Sequence, residues 1–335
     1  MASSYSNIHP VDEILSSLVV ETVQSDDIFI ADKVLETVQI PQRSGTLLLE
    51  ESRNFMGAGA GLDFQRAPGA SRATLGSFDR TSQTYRALNF GLDETIAMED
   101  IIDSQYPGSE EERAVRKVAR ALRLAKEKRC ADLLFGTANF NNSDAATEFG
   151  GEFDDANAEP LSDLYDLKNT VFEAAHGVNP DTLVLGHKVF RTLAKNPEIR
   201  GFAGTASNGF ASGARILSND AVIEVLRDVL NIPNIYVGSA RHDTAVPGAT
   251  SSEAYIWNQA SIFMGILRGS DSIIQKSGGV KAMPVGALNL QFGSYKAGQY
   301  DDQSGSIRRT VWAEESHIFH KVDSTLGRII TTCVN

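Results

Sequence analysis

The stretch Ser109–Gly136, SEEERAVRKVARALRLAKEKRCADLLFG, decides how the rest of the chain is read. Ser109 with Glu112 three residues later forms a capping box, and Glu110 and Glu111 fall in the positive first turn. Val115, Val118, Leu122, Ala125 and Leu133 keep a helical period, and Gly136 supplies a stop. The spacing therefore predicts a helix over 110–135, about 40 Å long at ~1.5 Å per residue, a rod of well above average length.

Upstream of the rod, residues 44–92 read as a long two-stranded excursion. GTLLLEESRNF runs out, MGAGAGLDFQRAPGAS is Gly-rich, and TLGSFDRTSQTYRALNFGL returns. An isolated hairpin is marginal in water, so Phe55, Leu62, Phe64, Leu75 and Phe78 need a surface that the ribbon cannot supply. A neighbouring subunit is a candidate for it. Before the ribbon, patches at Ile14–Val20 and Ile28–Ile30 lack one sustained period, which predicts an extended arm with at most a short helix.

Downstream, residues 139–160 are polar and acidic and read as a loop or small hairpin without calcium-loop spacing. From 161 onward helices and strands alternate. Leu161, Leu164, Leu167 and Val171 mark a helix stopping at Gly177, TLVLG a buried strand, and HKVFRTLAKN a helix closed by Pro197. After a loop at 201–213, Ser218 caps a helix bearing Val222, Val225, Leu226 and Val229, and the strand NIYVGS follows. Further strands are expected at 254–258, 261–267, 287–292, 307–313 and 326–332.

The 335 residues favour two lobes, and a 42% hydrophobic, 22% charged composition suits a globular core. No apolar run approaches the ~18 residues of a membrane span. The first basic residue is Lys33, which points to a cytoplasmic product without a leader segment. Cys130 and Cys333 have no metal-type spacing and read as structural thiols. A formal charge of −12 disfavours a nucleic-acid-gripping protein. The charge is uneven: residues 1–32 hold six acids, Asp26 and Asp27 among them, and no Lys or Arg. Arg53, Arg66, Arg72, Arg80 and Arg86 outnumber Asp63 and Asp79, and eight basic residues between Arg113 and Arg129 face Glu127 alone. Opposite-sign segments on one chain suit packing against copies of itself, because complementary potentials steer encounter and fix register.

Enzyme motifs are missing. GAGAG at Gly57–Gly61 fails dinucleotide spacing at Leu62, and neither a phosphate-binding P-loop nor a nucleophile elbow occurs. His317 and His320 lie in a strand-like run where an offset of three puts them on opposite faces, so they are poor co-ligands. His242 beside Asp243 has no evident nucleophile. The sequence predicts neither cofactor nor metal.

The order of elements, acidic arm, Gly-rich hairpin, capped rod, then an α/β lobe with NPDTLVLGHKVFRTLAKNPEI and VIEVLRDVLNIPNIYVGSA and a strand-rich tail, resembles the Hong Kong 97-type major capsid proteins of tailed bacteriophages. That resemblance implies an α+β fold: arm (1–40), extended loop (41–95), peripheral domain (96–160 and 306–335) with the rod as spine helix, and axial domain (161–305). It implies a shell of hexamers and pentamers around double-stranded DNA, with separate scaffolding and portal proteins, a possible decoration protein, weak DNA contact and no membrane. Arg53, Phe55, Phe64, Arg66, Arg72, Phe78, Arg80, Asp26 and Asp27 are the expected contacts between subunits. Removing residues 1–30 should accordingly leave a soluble subunit that fails to close shells. With only about forty residues before the hairpin there is no room for a fused scaffold. No lysine lies between Lys33 and Lys117 to donate an isopeptide cross-link from the loop. An encapsulin-like shell and a soluble α/β enzyme with its site in 161–305 are the alternatives.

Overall fold

The computed structural model describes residues 28–50, 65–66, 68–69, 80–103, 109–155, 157–206, 217–246, 248–268, 285–302 and 308–335. The described chain opens with a single turn, α1 (Ala31–Val34), and a short strand, β1 (Thr37–Gln39). β2 (Ser44–Glu50) and β3 (Arg80–Arg86) form an antiparallel ribbon from Ser44 opposite Arg86 to Glu50 opposite Arg80. β4 (Leu88–Ala97) and α2 (Met98–Asp103) lead to the spine helix, α3 (Ser109–Leu134).

Glu110, Glu111 and Glu112 occupy the first turn of α3, as its dipole favours. At the other end the Asn139 side chain donates to the carbonyls of Asp132 (3.2 Å) and Leu133 (2.9 Å), two of the groups a helix end leaves without partners. Gly136 is required there by close approach, since a Cβ would lie 2.4 Å from the Asp132 carbonyl oxygen.

The second lobe contains β5 (Asn141–Asp144), α4 (Ala145–Glu148), α5 (Pro160–Ala174), β6 (Thr182–Gly186), α6 (His187–Leu193), α7 (Pro197–Ala206) and α8 (Asn219–Leu230). It continues with β7 (Asn234–Gly238), a ribbon of β8 (Arg241–Asp243) and β9 (Glu253–Tyr255), and β10 (Ile262–Gly265). The tail supplies β11 (Ala287–Gln291), β12 (Lys296–Asp302), β13 (Arg308–Lys321) and β14 (Gly327–Thr331).

Two five-stranded sheets organise these elements. In one, β13 pairs with β4 along one edge and with β11 and β12 along the other, and β1 adds parallel to β11. In the other the order is β5-β14-β10-β6-β7, with every residue of the central strands β6 and β10 buried. The N-terminal half of α3 lays Ala114, Val115, Val118, Ala119 and Leu122 on Ala297, Val311 and Ala313 of the first sheet. Its C-terminal half packs Cys130, Ala131 and Leu134 against Phe29, Ile30, Val34, Trp257 and Phe263. The helices of the second lobe close over the other sheet through Leu164, Leu167, Leu183, Leu193, Val222 and Leu226.

Several local expectations change in the structure. Pro197 does not merely close the helix before it: α6 ends at Leu193, and Pro197 opens α7, a position where its missing N–H costs nothing. The expected loop from 201 is helical as far as Ala206. Residues 141–144 form an edge strand, and Asp144 caps α4 by accepting from the Thr147 N–H at 2.7 Å. The Ser218 cap is present, accepting from Ala221 N–H at 3.3 Å.

The sheets also cut across the sequence boundaries expected for the domains. Residues 88–95, expected in the hairpin, pair with β13, and β11 and β12 pair with it from the 161–305 segment. β5 and β14, from the flanking segments, complete the sheet of the α/β lobe. Pairing between strands so far apart leaves no local pattern in the chain.

Candidate assembly surfaces and the arm-root socket

Three surfaces bear on association: the base of the ribbon, the basic face of α3, and the seat of the arm. The ribbon base is fixed by an apolar cluster of Ile40, Leu47, Ala87, Val285, Leu288 and Leu290. Gln83 ties it to the sheet, donating to the Val322 carbonyl at 3.0 Å and meeting His320 Nε2 at 2.8 Å. Arg43 lies over the Phe292 ring at 5.4 Å. The ribbon therefore leaves the body from a rigid root.

On α3, basic side chains along the whole run meet acids of their own subunit. The pairs are Arg113–Glu110 (3.6 Å), Arg116–Glu112 (2.6 Å), Lys117–Glu94, Lys126–Asp32 (2.7 Å), Lys128–Asp132 (3.1 Å) and Arg129–Glu315 (3.6 Å). Arg123 is buried and stands 4.7 Å over the Phe29 ring. The basic run is thus much less positive in the fold than in the sequence. One contact of the arm root with the basic helix, Asp32 with Lys126, is made inside a single subunit.

Behind that pair is a buried ionic seam. Glu315 of β13 lies 3.6 Å from Lys126, 3.6 Å from Arg129 and 3.4 Å from His317. Burial pushes the Glu315 carboxyl up, opposed by Lys126 and Arg129, and pushes His317 down to about 2, so that histidine is neutral. His317 packs between Phe90 and Phe319, whereas His320 faces Gln83. The two histidines therefore have different surroundings, and among the described residues no His/Cys/Asp/Glu group suits a metal.

The third surface is the arm root. Phe29, Ile30, Ala31, Val34 and Leu35 are buried, so two of the three residues of the apolar patch at 28–30 belong to the core of this subunit, while Ile28 is exposed. A cut after residue 30 would therefore remove two core residues, because Phe29 and Ile30 pack in one buried cluster with α3 residues and Trp257. Glu127, wholly buried, accepts from Ile30 N–H at 3.0 Å, Ala31 N–H at 2.9 Å and the Trp257 indole at 2.6 Å. Its isolation as the single acid of the basic run was a legible oddity; its partners were not.

Of the residues expected between subunits, Arg66 is exposed and Arg80 opens β3 opposite Glu50. Asp26, Asp27, Arg53, Phe55, Phe64, Arg72 and Phe78 lie outside the described residues.

The spine helix, the ribbon, the five-stranded sheet on β13 and the α/β lobe together make the Hong Kong 97-type capsid fold. A phage-related protein from Bordetella bronchiseptica superposes with a TM-score of 0.66 at 19% identity, over 97% of this chain and 98% of its own. The virus-like particle protein of Pyrococcus furiosus gives 0.55 at 11% identity over 95% and 98%, and the capsid of cyanophage P-SCSP1u gives 0.51 at 10% over 90% and 88%. By sequence, the major capsid protein of Pseudomonas phage JBD67 is 24% identical over 191 residues, which is 56% of this chain and 57% of that protein. No model of a known protein family matches the chain.

Proposed function

We propose that this chain is a major capsid protein that self-assembles into hexamers and pentamers of an icosahedral phage head enclosing double-stranded DNA. The observation that carries the proposal is the shared fold over 97% of the chain with a phage-related protein, joined by the sequence match to a phage major capsid protein. The rigid ribbon root adds a physical argument, because a two-stranded ribbon leaving the body needs apolar cover from outside itself.

In this reading the partners are copies of the same chain, separate scaffolding and portal proteins, and a decoration protein where the shell carries one, with assembly in the host cytoplasm. The acidic balance of −12 suits weak contact with packaged DNA. The subunit contacts run through Arg53, Phe55, Phe64, Arg66, Arg72, Phe78, Arg80, Asp26 and Asp27. Electron micrographs of the purified protein test the proposal: closed particles tens of nanometres wide support it, and a small oligomer overturns it. An encapsulin-like shell is the second reading, favoured by the similarity to the Pyrococcus furiosus particle protein. Particles from infected cells that contain nuclease-protected DNA decide for the phage head.

A further inference from the structure

The single turn α1 is too short to hold itself together, because one helical turn fixes several residues for one hydrogen bond. Opposite charges grip its two ends. At the N-terminal end the Glu127 carboxylate takes the Ile30 and Ala31 N–H groups, and at the C-terminal end Arg268 donates to the Lys33 carbonyl and, at 2.9 Å, to the Tyr236 hydroxyl. This arrangement matches the helix dipole at both ends. The same Glu127 Oε1 that binds the arm also accepts the Trp257 indole, which lies between β9 and β10 of the α/β lobe.

We infer that Glu127 is a positioning residue that latches the root of the N-terminal arm and couples its seating to the α/β lobe through Trp257. Lifting residues 28–35 strips two of the three donors from a carboxylate with no exposed surface, and an unpaired buried charge is costly. Taking away the indole weakens the same carboxylate, so by reciprocity a change at Trp257 loosens the arm. The groups facing Glu127 are Asp32 from the arm turn and Cys130 from α3, while the adjacent Lys126 is turned to Asp32. Burial raises the Glu127 carboxyl above its ordinary range, and its three donors pull it back down.

Peptide-level hydrogen exchange on the full chain tests this, whether or not shells form. In E127Q, exchange across 28–36 should accelerate at least tenfold relative to β6. In W257F, which leaves Glu127 and both arm amides in place, the same peptide should exchange at least threefold faster. Wild-type exchange in E127Q overturns the latch. If E127Q loosens β6 equally, W257F decides: arm exchange unchanged relative to β6 overturns the coupling, and selective loosening supports it.

Discussion

Asp163 shows at the scale of one residue how neighbours set a stability. It lies in the first turn of α5, and partial burial together with Glu198, Asp166 and Glu159 pushes its carboxyl up to about 6. The folded chain thus keeps a proton that the unfolded chain has lost, so stability falls as pH rises from about 4 to about 6 and stays lower above that. Because the side chain is only partly buried and solvent screens its charged neighbours, the loss at neutral pH is about 1 kcal/mol rather than the full linkage value. Asp163→Asn should raise urea stability by that amount at pH 7 and by nothing below about pH 4. A gain that is the same at both pH values would point to a neutral packing effect.

At the scale of elements, the arm divides at residue 28. Phe29, Ile30, Ala31, Val34 and Leu35 are part of the subunit core, whereas the acidic segment before them carries the proposed contacts between subunits. Deleting 1–27 should leave a soluble chain with wild-type urea stability that fails to close shells; normal particles from it would remove the arm from the assembly account. Deleting 1–35 should destabilise the subunit itself by exposing the Glu127 socket. Phe29→Ala, which opens a cavity between Arg123 and Trp257, should cost about 3 kcal/mol in urea denaturation. The ribbon root is held by six buried apolar residues, so changes farther out along it should leave subunit stability untouched.

At the scale of the whole molecule, the shells should be held without covalent bonds between chains. Cys130 and Cys333 are both buried, and burial raises both thiols, Cys333 to about 12, which suppresses the reactive thiolate. Particles denatured without reductant should therefore run as a single band near 36.2 kDa. A ladder that reductant collapses would implicate these cysteines. Exposed charge pairs of the proposed kind contribute about 0–1 kcal/mol each and act on encounter and register more than on affinity. Assembly should slow as salt rises, since the screening length is ~10 Å at 0.1 M. The double variant R66E and R72E should slow assembly and lose that salt dependence without changing urea stability. Unchanged kinetics would make those arginines solvated surface.

The sequence alone determined what depends on neighbours along the chain. Ser109–Gly136 reads as a capped helix because its first-turn glutamates, its apolar period and its stopping glycine are all local, and the helix runs over Ser109–Leu134. The Ser218 cap and the strand TLVLG were legible for the same reason. Tertiary structure decided what depends on burial between distant segments. β1 lies beside β11, β5 beside β14, and residues 88–97 beside β13, pairings that no window of sequence contains. Likewise the basic run of α3 looked like an outward-facing positive surface until folding brought Asp32, Glu94 and Glu315 to it. Glu127 stood out in the sequence as the one acid in that run, but its three donors come from residues 96, 97 and 130 positions away. A buried carboxylate acquires its role only when the fold removes water from it and leaves those N–H groups as its partners.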